Sequence, residues 1–342
     1  MIYTSDNELS IAGLSLVLQP TNSSNITPLQ SWLSDVEPLP IWIPLARKNG
    51  VNKVLAVASH SGQYAEIIPS IFGQISQRTA VQWQGQPYEL AGVEIDHHEL
   101  HIVEISLLTS EPLPPSIGRA IHALCFHWLA IANPALAEQL HNSDFFPFTL
   151  VVKPGSSANQ LTLRISILQR DLLAPLLWGM SHDIGSEITL TNIPCRLGKW
   201  VNIKHSTSFA ALAQVPSQNT IELEFLSPTS FKQSQIIQPF PLPELVFSSL
   251  WRKWNAFAPK ELQLPEVEWQ GFTAAYELQT VALKMKGVAE IGAKGWVRYQ
   301  FINSTQAQIA TTLAHFAFFA GVGRKTSMGM GQTKLIGEKS GQ

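Results

Sequence analysis

From residue 101 the stretch "HIVEISLL" alternates apolar and polar positions, as a half-buried strand does. The pattern then changes period. "PPSIGRAIHALCFHWLAIA" puts Ile117, Ile121, Leu124 and Trp128 on one stripe at helical spacing. Asn133 and Pro134 offer a cap and a first-turn proline to a short second helix, "PALAEQL". "FPFTLVV" and "QLTLRISIL" read as strands, "RDLLAPLLWGM" as a helix and "EITLTNIP" as a strand. Without the short helix, the order is β-α-β-β-α-β, the ferredoxin-like arrangement.

The order then repeats. "TIELEFL" reads as a strand, "LPELVFSSLWRKWNAF" as a helix, and "YELQTVALKMK" and "GWVRYQF" as strands. "STQAQIATTLAHFAFFA" is helical, with Ile309, Leu313, Phe316 and Ala320 along one side, and "QTKLIG" supplies a last strand. The predicted fold is α+β: two tandem ferredoxin-like domains, 101–212 and 213–342, after an additional N-terminal domain, 1–100. In that first part "LSIAGLSLVLQP", "NKVLAVASH" and the proline-rich "PLPIWIPL" read as extended and "TPLQSWLSDV" as a short helix, without a fold they add up to.

Charge separates the same regions. The whole chain has 23 Lys and Arg against 25 Asp and Glu, net −2, which argues against bulk attraction to nucleic acid. Residues 1–100 carry 4 basic against 9 acidic side chains, which suits a partner-docking or stabilising part and repels phosphate, so deleting it should spare RNA affinity. Between Lys284 and Lys334 there are 7 basic side chains and one acid, Glu290. Such a local zone is what a polyanion would meet. Two cysteines, Cys125 and Cys195, and no apolar run or leader of membrane or secretory type place the protein in the cytoplasm, away from membranes.

The C-terminal stretch "FFAGVGRKTSMGMGQTKL" concentrates unusual chemistry. Gly321 can close the preceding helix. Gly323, Gly329 and Gly331 need another reason, and close approach of backbone N–H groups to a phosphate is one. Arg324 and Lys325 add charge, Thr326 and Ser327 hydroxyls. A nucleotide P-loop is excluded, because Arg324 stands where glycine must precede the lysine and because the loop follows a helix rather than a strand.

A glycine-rich loop between the last helix and last strand of a second ferredoxin-like unit resembles the RAMP superfamily, the repeat-associated RNA-binding proteins of CRISPR systems. Within it, the chain is most similar to the CRISPR-associated endoribonucleases that cut repeat RNA into guides. The resemblance rests on "LPPSIGRAIHALCFHWL" with "NPALAEQLHNSD", on "LEFLSPTSFKQ" with "FPLPELVFSSLWRKWNAFAP", and on "FAGVGRKTSMGMGQTKL", which frame residues 101–336.

That resemblance implies metal-free cutting in which the ribose 2′-OH attacks the adjacent phosphorus, leaving a 2′,3′-cyclic phosphate and a 5′-OH. No cofactor and no metal are expected; the partners expected are CRISPR repeat RNA, as precursor and mature guide, and other subunits of an effector complex. Such chemistry needs a base, an acid and cations near the developing charge. His141 matches the position of the family's general base at the end of "NPALAEQLH". His127 is the second candidate and His122 a third; five positions apart, the two point to different faces. Phe126 stands where some members have tyrosine, and "HNSDFFP" lacks a lysine that some carry after the histidine. Arg324 or Lys325 would then supply charge across the cleft. The other reading is a non-catalytic RNA-binding subunit of the same fold.

For RNA contact the candidates are Gly321, Gly323, Arg324, Lys325, Thr326, Ser327, Gly329, Gly331 and, in "SPTSFKQ", Lys232 with the hydroxyls beside it. Arg252 and Lys253 read as solvated helix surface. Trp296 and Tyr299 in "KGWVRYQF" read as packing residues, not base-stacking ones. "IDHHELHI" puts His97, Glu99 and His101 on one strand face but reads as a polar linker, not a metal site.

Overall fold

A computed structural model describes residues 11–46, 51–114, 116–155, 157, 159–285 and 288–337. The predicted strand start at Leu9, Pro115 of the long-helix motif and Lys286 of the basic zone lie outside the described residues.

The first part builds a sheet of β1 (Gly13–Pro20), β2 (Ile26–Pro28), β3 (Ile41–Pro44), β4 (Asn52–Val57), β5 (Ala80–Trp83) and β6 (Gln86–Asp96), in the order β2-β5-β6-β1-β4-β3. One helix, α1 (Tyr64–Ser76), crosses it and buries Tyr64, Ile67 and Ile71 against Leu14, Leu16 and Trp32. The short helix expected near Trp32 is a single 3-10 turn, Leu29–Ser31, followed by turns.

The second sheet contains β7 (Leu100–Thr109), β8 (Phe148–Pro154), β9 (Gln160–Ile167), β10 (Glu187–Leu190) and β11 (Ile193–Thr207), ordered β10-β11-β7-β9-β8. Against one face lie α2 (Gly118–Ala132), α3 (Pro134–His141) and α4 (Leu173–Met180). "EITLTNIP" is a hairpin, not one strand. Thr191 and Asn192 turn it with φ of 50° and 68°, the left-handed region that a two-residue hairpin turn requires.

After the short α5 (Phe209–Ala213), the third sheet is formed by β12 (Thr220–Thr229), β15 (Phe272–Met285), β16 (Val288–Gln300) and β17 (Thr333–Leu335), ordered β15-β16-β12-β17. A small hairpin, β13 (Phe231–Gln233) with β14 (Ile236–Gln238), leaves its end. α6 (Pro243–Phe257) and α7 (Ser304–Ala320) cover it. Counted within each βαββαβ run, the second and third sheets have the same strand order, with the first strand central.

These sheets are separate, but their cores are not. Ala12, Ile43, Leu55 and Val57 of the first sheet pack in one apolar cluster with Val103, Trp128 and Leu173. Backbone pairing continues the link, since Ala46 N–H donates to Val201 O at 2.9 Å. Leu100 and Ile102 of β7 enter the other cluster, with Phe209, Leu223 and Trp254. β7 is therefore buried on both faces near its start, and the first sheet shares the core on one of those faces, as a stabilising part would. Loss of residues 1–100 would open the core beneath α4.

The "IDHHELHI" residues are divided among partners. Asp96 accepts from His101 Nε2 at 3.0 Å and from His98 Nδ1 at 2.7 Å, and Glu99 pairs with Arg170. Cys125 and Cys195 are buried free thiols.

Candidate functional site

α7 ends where Gly321 adopts φ +60°. The chain then turns back through Gly331 to β17, over a bulged stretch of β12 whose register against β16 shifts between Phe225 and Thr229. That bulge scaffolds the loop. Gly331 N–H donates to Pro228 O (3.0 Å), Arg324 N–H to Ser230 O (3.0 Å) and Gln332 N–H to Ser227 Oγ (2.8 Å). Of the "SPTS" hydroxyls, Ser227 Oγ accepts from Gln332 N–H, Thr229 Oγ1 donates to Ser227 O at 3.1 Å, and Thr229 and Ser230 are fully buried. Lys232 alone in that motif is an exposed cation.

The glycines have two structural causes. Gly323 has φ +77°, and a Cβ there would sit 2.4 Å from Ser230 O; at Gly331, with φ +70°, it would sit 2.0 Å from Val322 O. No side chain fits either place. Gly321 N–H bonds Ala317 O, closing the helix as expected, while the N–H groups of Gly323 and Gly331, expected to approach a phosphate, bond Ser249 Oγ and Pro228 O.

Arg324 and Lys325 are not free cations. Arg324 Nη1 lies 2.8 Å from Glu290 Oε2, and Lys325 Nζ bonds the other carboxylate oxygen. The Lys325 hydrogen bond, opposed by burial and reinforced by Arg324, holds the Glu290 carboxyl below the usual carboxylate range. The trio carries one net positive charge instead of two.

Beneath the loop lies the residue that sequence reasoning misplaced. Lys253 is buried, and its Nζ reaches Ala320 O (3.0 Å), Gly321 O (3.0 Å) and Thr326 Oγ1 (3.2 Å). Burial, with Arg252's charge adding, pulls its ammonium down to about 7. A signal existed in the sequence: with Val246, Leu250, Trp254 and Phe257, position 253 falls on the apolar stripe of α6.

The first ferredoxin-order sheet holds this loop from the other side. Thr149 Oγ1 donates to Phe319 O at 2.8 Å, and Arg164 Nη2 to Phe318 O at 2.7 Å with its guanidinium over the Phe318 ring. At Gly118, the first residue of α2, a Cβ would lie 2.0 Å from Met328 O, so helix and loop touch backbone to backbone.

Between the halves is a groove of about 420 Å³. Asp144, Phe145 and Phe146 line it on one side, and Lys232, Arg252, Lys253 and Arg324–Met328 on the other. Asn133 caps α3 as its sequence predicts, accepting from Leu136 N–H at 3.0 Å, with Pro134 in the first turn. This short helix ends at His141, which is exposed and meets the Phe126 ring edge-on at 5.7 Å. Phe126 also touches His122, Phe146 and Phe148. His122 donates from Nδ1 to Ser327 O at 3.1 Å, which fixes its tautomer. Burial lowers the His122 pKa, the Ser327 hydrogen bond raises it, and the nearby charges of His141 and Arg119 lower it further.

The structure thus joins His141, Phe126, His122 and Ser327 in one continuous set across the chain's two halves. His127, five positions beyond His122 and so turned from it by roughly 140° around α2, is exposed on another face. Tyr299 is buried with its hydroxyl donating to Pro241 O, and Trp296 is half-buried, in line with packing roles. Among the described residues no group of three or more His, Cys, Asp or Glu side chains is placed to hold a metal ion, and no helix is long and apolar enough to cross a membrane.

An α+β chain in which two sheets of this order meet at a glycine-rich loop has a RAMP-like fold. Residues 223–333 match the family model described as CRISPR-associated endoribonuclease Cas6. A Thermus thermophilus Cas6 solved as a product complex superposes with a TM-score of 0.63 at 26% identity, covering 70% of this chain and 100% of that one. A second Cas6 product complex gives 0.59 at 28%, covering 69% and 98%. The CRISPR-associated endoribonuclease Cas6 of Mycobacterium tuberculosis (strain CDC 1551 / Oshkosh) is 30% identical over 125 residues, 35% of this chain. That match spans 40% of the curated relative's length. The match to the Cas6 family model is thus confined to residues 223–333, and over about 70% of the chain the fold is similar to that of these Cas6 structures.

Proposed function

We propose that the protein is a cytoplasmic endoribonuclease that cuts CRISPR precursor RNA within its repeats. The observation that carries the reading is the groove itself, where the segment after the helix that ends at His141 faces a cationic glycine-rich loop, and His141 is linked to that loop through Phe126 and His122. Likeness to two Cas6 product complexes supports it. In this reading residues 101–212 and 213–342 form tandem ferredoxin-like domains, and residues 1–100 are an added domain fused to the first core.

His141 takes the proton of the attacking 2′-OH. Its solvent-facing place at a helix end leaves room for a ribose. The oxygen attacks phosphorus, the 5′ oxygen leaves, and a 2′,3′-cyclic phosphate forms. Charge developing on the phosphoryl oxygens is met by Lys232, Arg252 and the residual charge of the Arg324–Lys325–Glu290 trio. His127 lies beyond this set, so the proton for the leaving oxygen comes by way of solvent or from His127 only if α2 moves; His122 is the imidazole already beside the loop. The mature guide RNA stays in the groove as part of an effector complex. Only RNA is cut, because DNA has no 2′-OH.

The test is incubation with repeat RNA in EDTA. Cutting that ends in cyclic phosphate and a 5′-OH is expected. RNA that is bound and left intact, with or without added magnesium, would make the protein a non-catalytic RNA-binding subunit.

A further inference from the structure

Lys253 is a buried cation with three acceptors and, among the described residues, no carboxylate paired with it. Two of those acceptors are carbonyls at the end of α7, and the third is the Thr326 hydroxyl in the loop. An ammonium supplies three protons, one for each. A neutral amine has two protons and a lone pair, and Thr326 must then rotate to donate to it. The contact therefore exists in two forms that differ by one proton and by the direction of a single hydrogen bond.

The charged groups around it do not supply the missing negative charge. On α6 its neighbour is Arg252; β13 presents Lys232, the segment after α3 presents Asp144, and the loop presents Arg324 and Lys325. Glu290 of β16 is committed to those two loop cations. On α2, His122 faces the Ser327 carbonyl as a donor. Asp144 is exposed at the far edge of the groove.

We propose that an RNA phosphate seated in the groove over Thr326 and Ser327 is the counter-charge for Lys253, so that RNA binding takes up one proton at Lys253 Nζ. This rests on reading the groove as an RNA site. Burial without a carboxylate partner, with Arg252's charge adding, pulls the free ammonium down to about 7, which favours loss of its proton as pH rises past neutrality. A nearby phosphate favours the charged form and raises its pKa. Binding and protonation are then linked, and affinity falls as pH rises through the free value.

The test uses the full chain and its host's repeat RNA, 2′-O-methylated throughout so that it cannot be cut. Between pH 7.5 and 8.5 the dissociation constant should rise roughly fivefold, a window chosen above unperturbed histidine titration. Calorimetry in buffers of different ionisation enthalpy should show uptake of up to one proton. Lys253→Arg should bind with no such pH step; Lys253→Met should bind more weakly at pH 7.5 and also without the step. A wild-type affinity that is flat across the window, with no buffer-dependent heat, overturns the inference while leaving the RNA site intact. Absence of RNA binding at any pH overturns both.

Discussion

Beside one wall of the groove, three residues before Asp144, His141 stands in solvent at the end of a two-turn helix, resting on an aromatic ring. On the other, Lys253, Thr326 and Ser327 are buried in hydrogen bonds that leave the backbone little choice of conformation. The first wall is accessible and mildly polar; the second is rigid and cationic. Proton transfer needs a group that can approach its substrate, whereas stabilising a developing charge needs donors that do not reorganise. In the proposed function the two walls divide those requirements between them.

The largest effect expected is at the accessible wall. His141→Ala should slow single-turnover cutting by about 10²- to 10⁴-fold while RNA affinity changes less than about twofold. A variant that cuts at the normal rate would remove α3 from the chemistry. In the rigid wall, Gly323→Ala forces a Cβ against Ser230 O at positive φ and should cost about 1–3 kcal/mol of stability in chemical denaturation, with RNA binding weakened as the loop shifts. An unchanged denaturation midpoint would show that the loop is softer than its hydrogen bonds imply.

Glu290→Gln tests whether the shared carboxylate holds charge back from RNA. Freeing Arg324 and Lys325 should tighten RNA binding and steepen its dependence on salt by about one phosphate contact. An unaltered salt slope would mean that neither cation meets a phosphate. The smallest difference expected is between two histidines of one helix. His122→Ala should lower cutting several-fold, through the lost Ser327 hydrogen bond, and His127→Ala less than twofold. The reverse order in rate measurements would return His127 to the chemistry.

Periodicity revealed α2 and α6 by their apolar stripes, α3 announced its start through Asn133-Pro134, and α7, buried on nearly every side, was legible from its length and its apolar and small residues. The place of His141 followed from α3. In the first hundred residues α1 was hidden by Pro69 in its interior, and the β5–β6 hairpin by a Gln84-Gly85 turn, less telling than Asn-Gly. At the site, the glycine loop was visible as composition, but the use of the Gly323 and Gly331 N–H groups was not, since their acceptors, Ser249 Oγ of α6 and Pro228 O of β12, are distant in sequence. Lys253 was read by its charge rather than by its position. Its place on the apolar stripe signalled burial, while the acceptors that make burial possible, at Ala320, Gly321 and Thr326, lie far away in the sequence.

Gly118 and Met328, more than two hundred positions apart, touch through their backbones, and β17 completes its sheet only after the loop has turned. During synthesis, residues up to Ala320 can emerge and begin to fold with the imidazole already placed, yet no cleft exists opposite it. The groove therefore has its second wall only once the ribosome has delivered the stretch through Leu335.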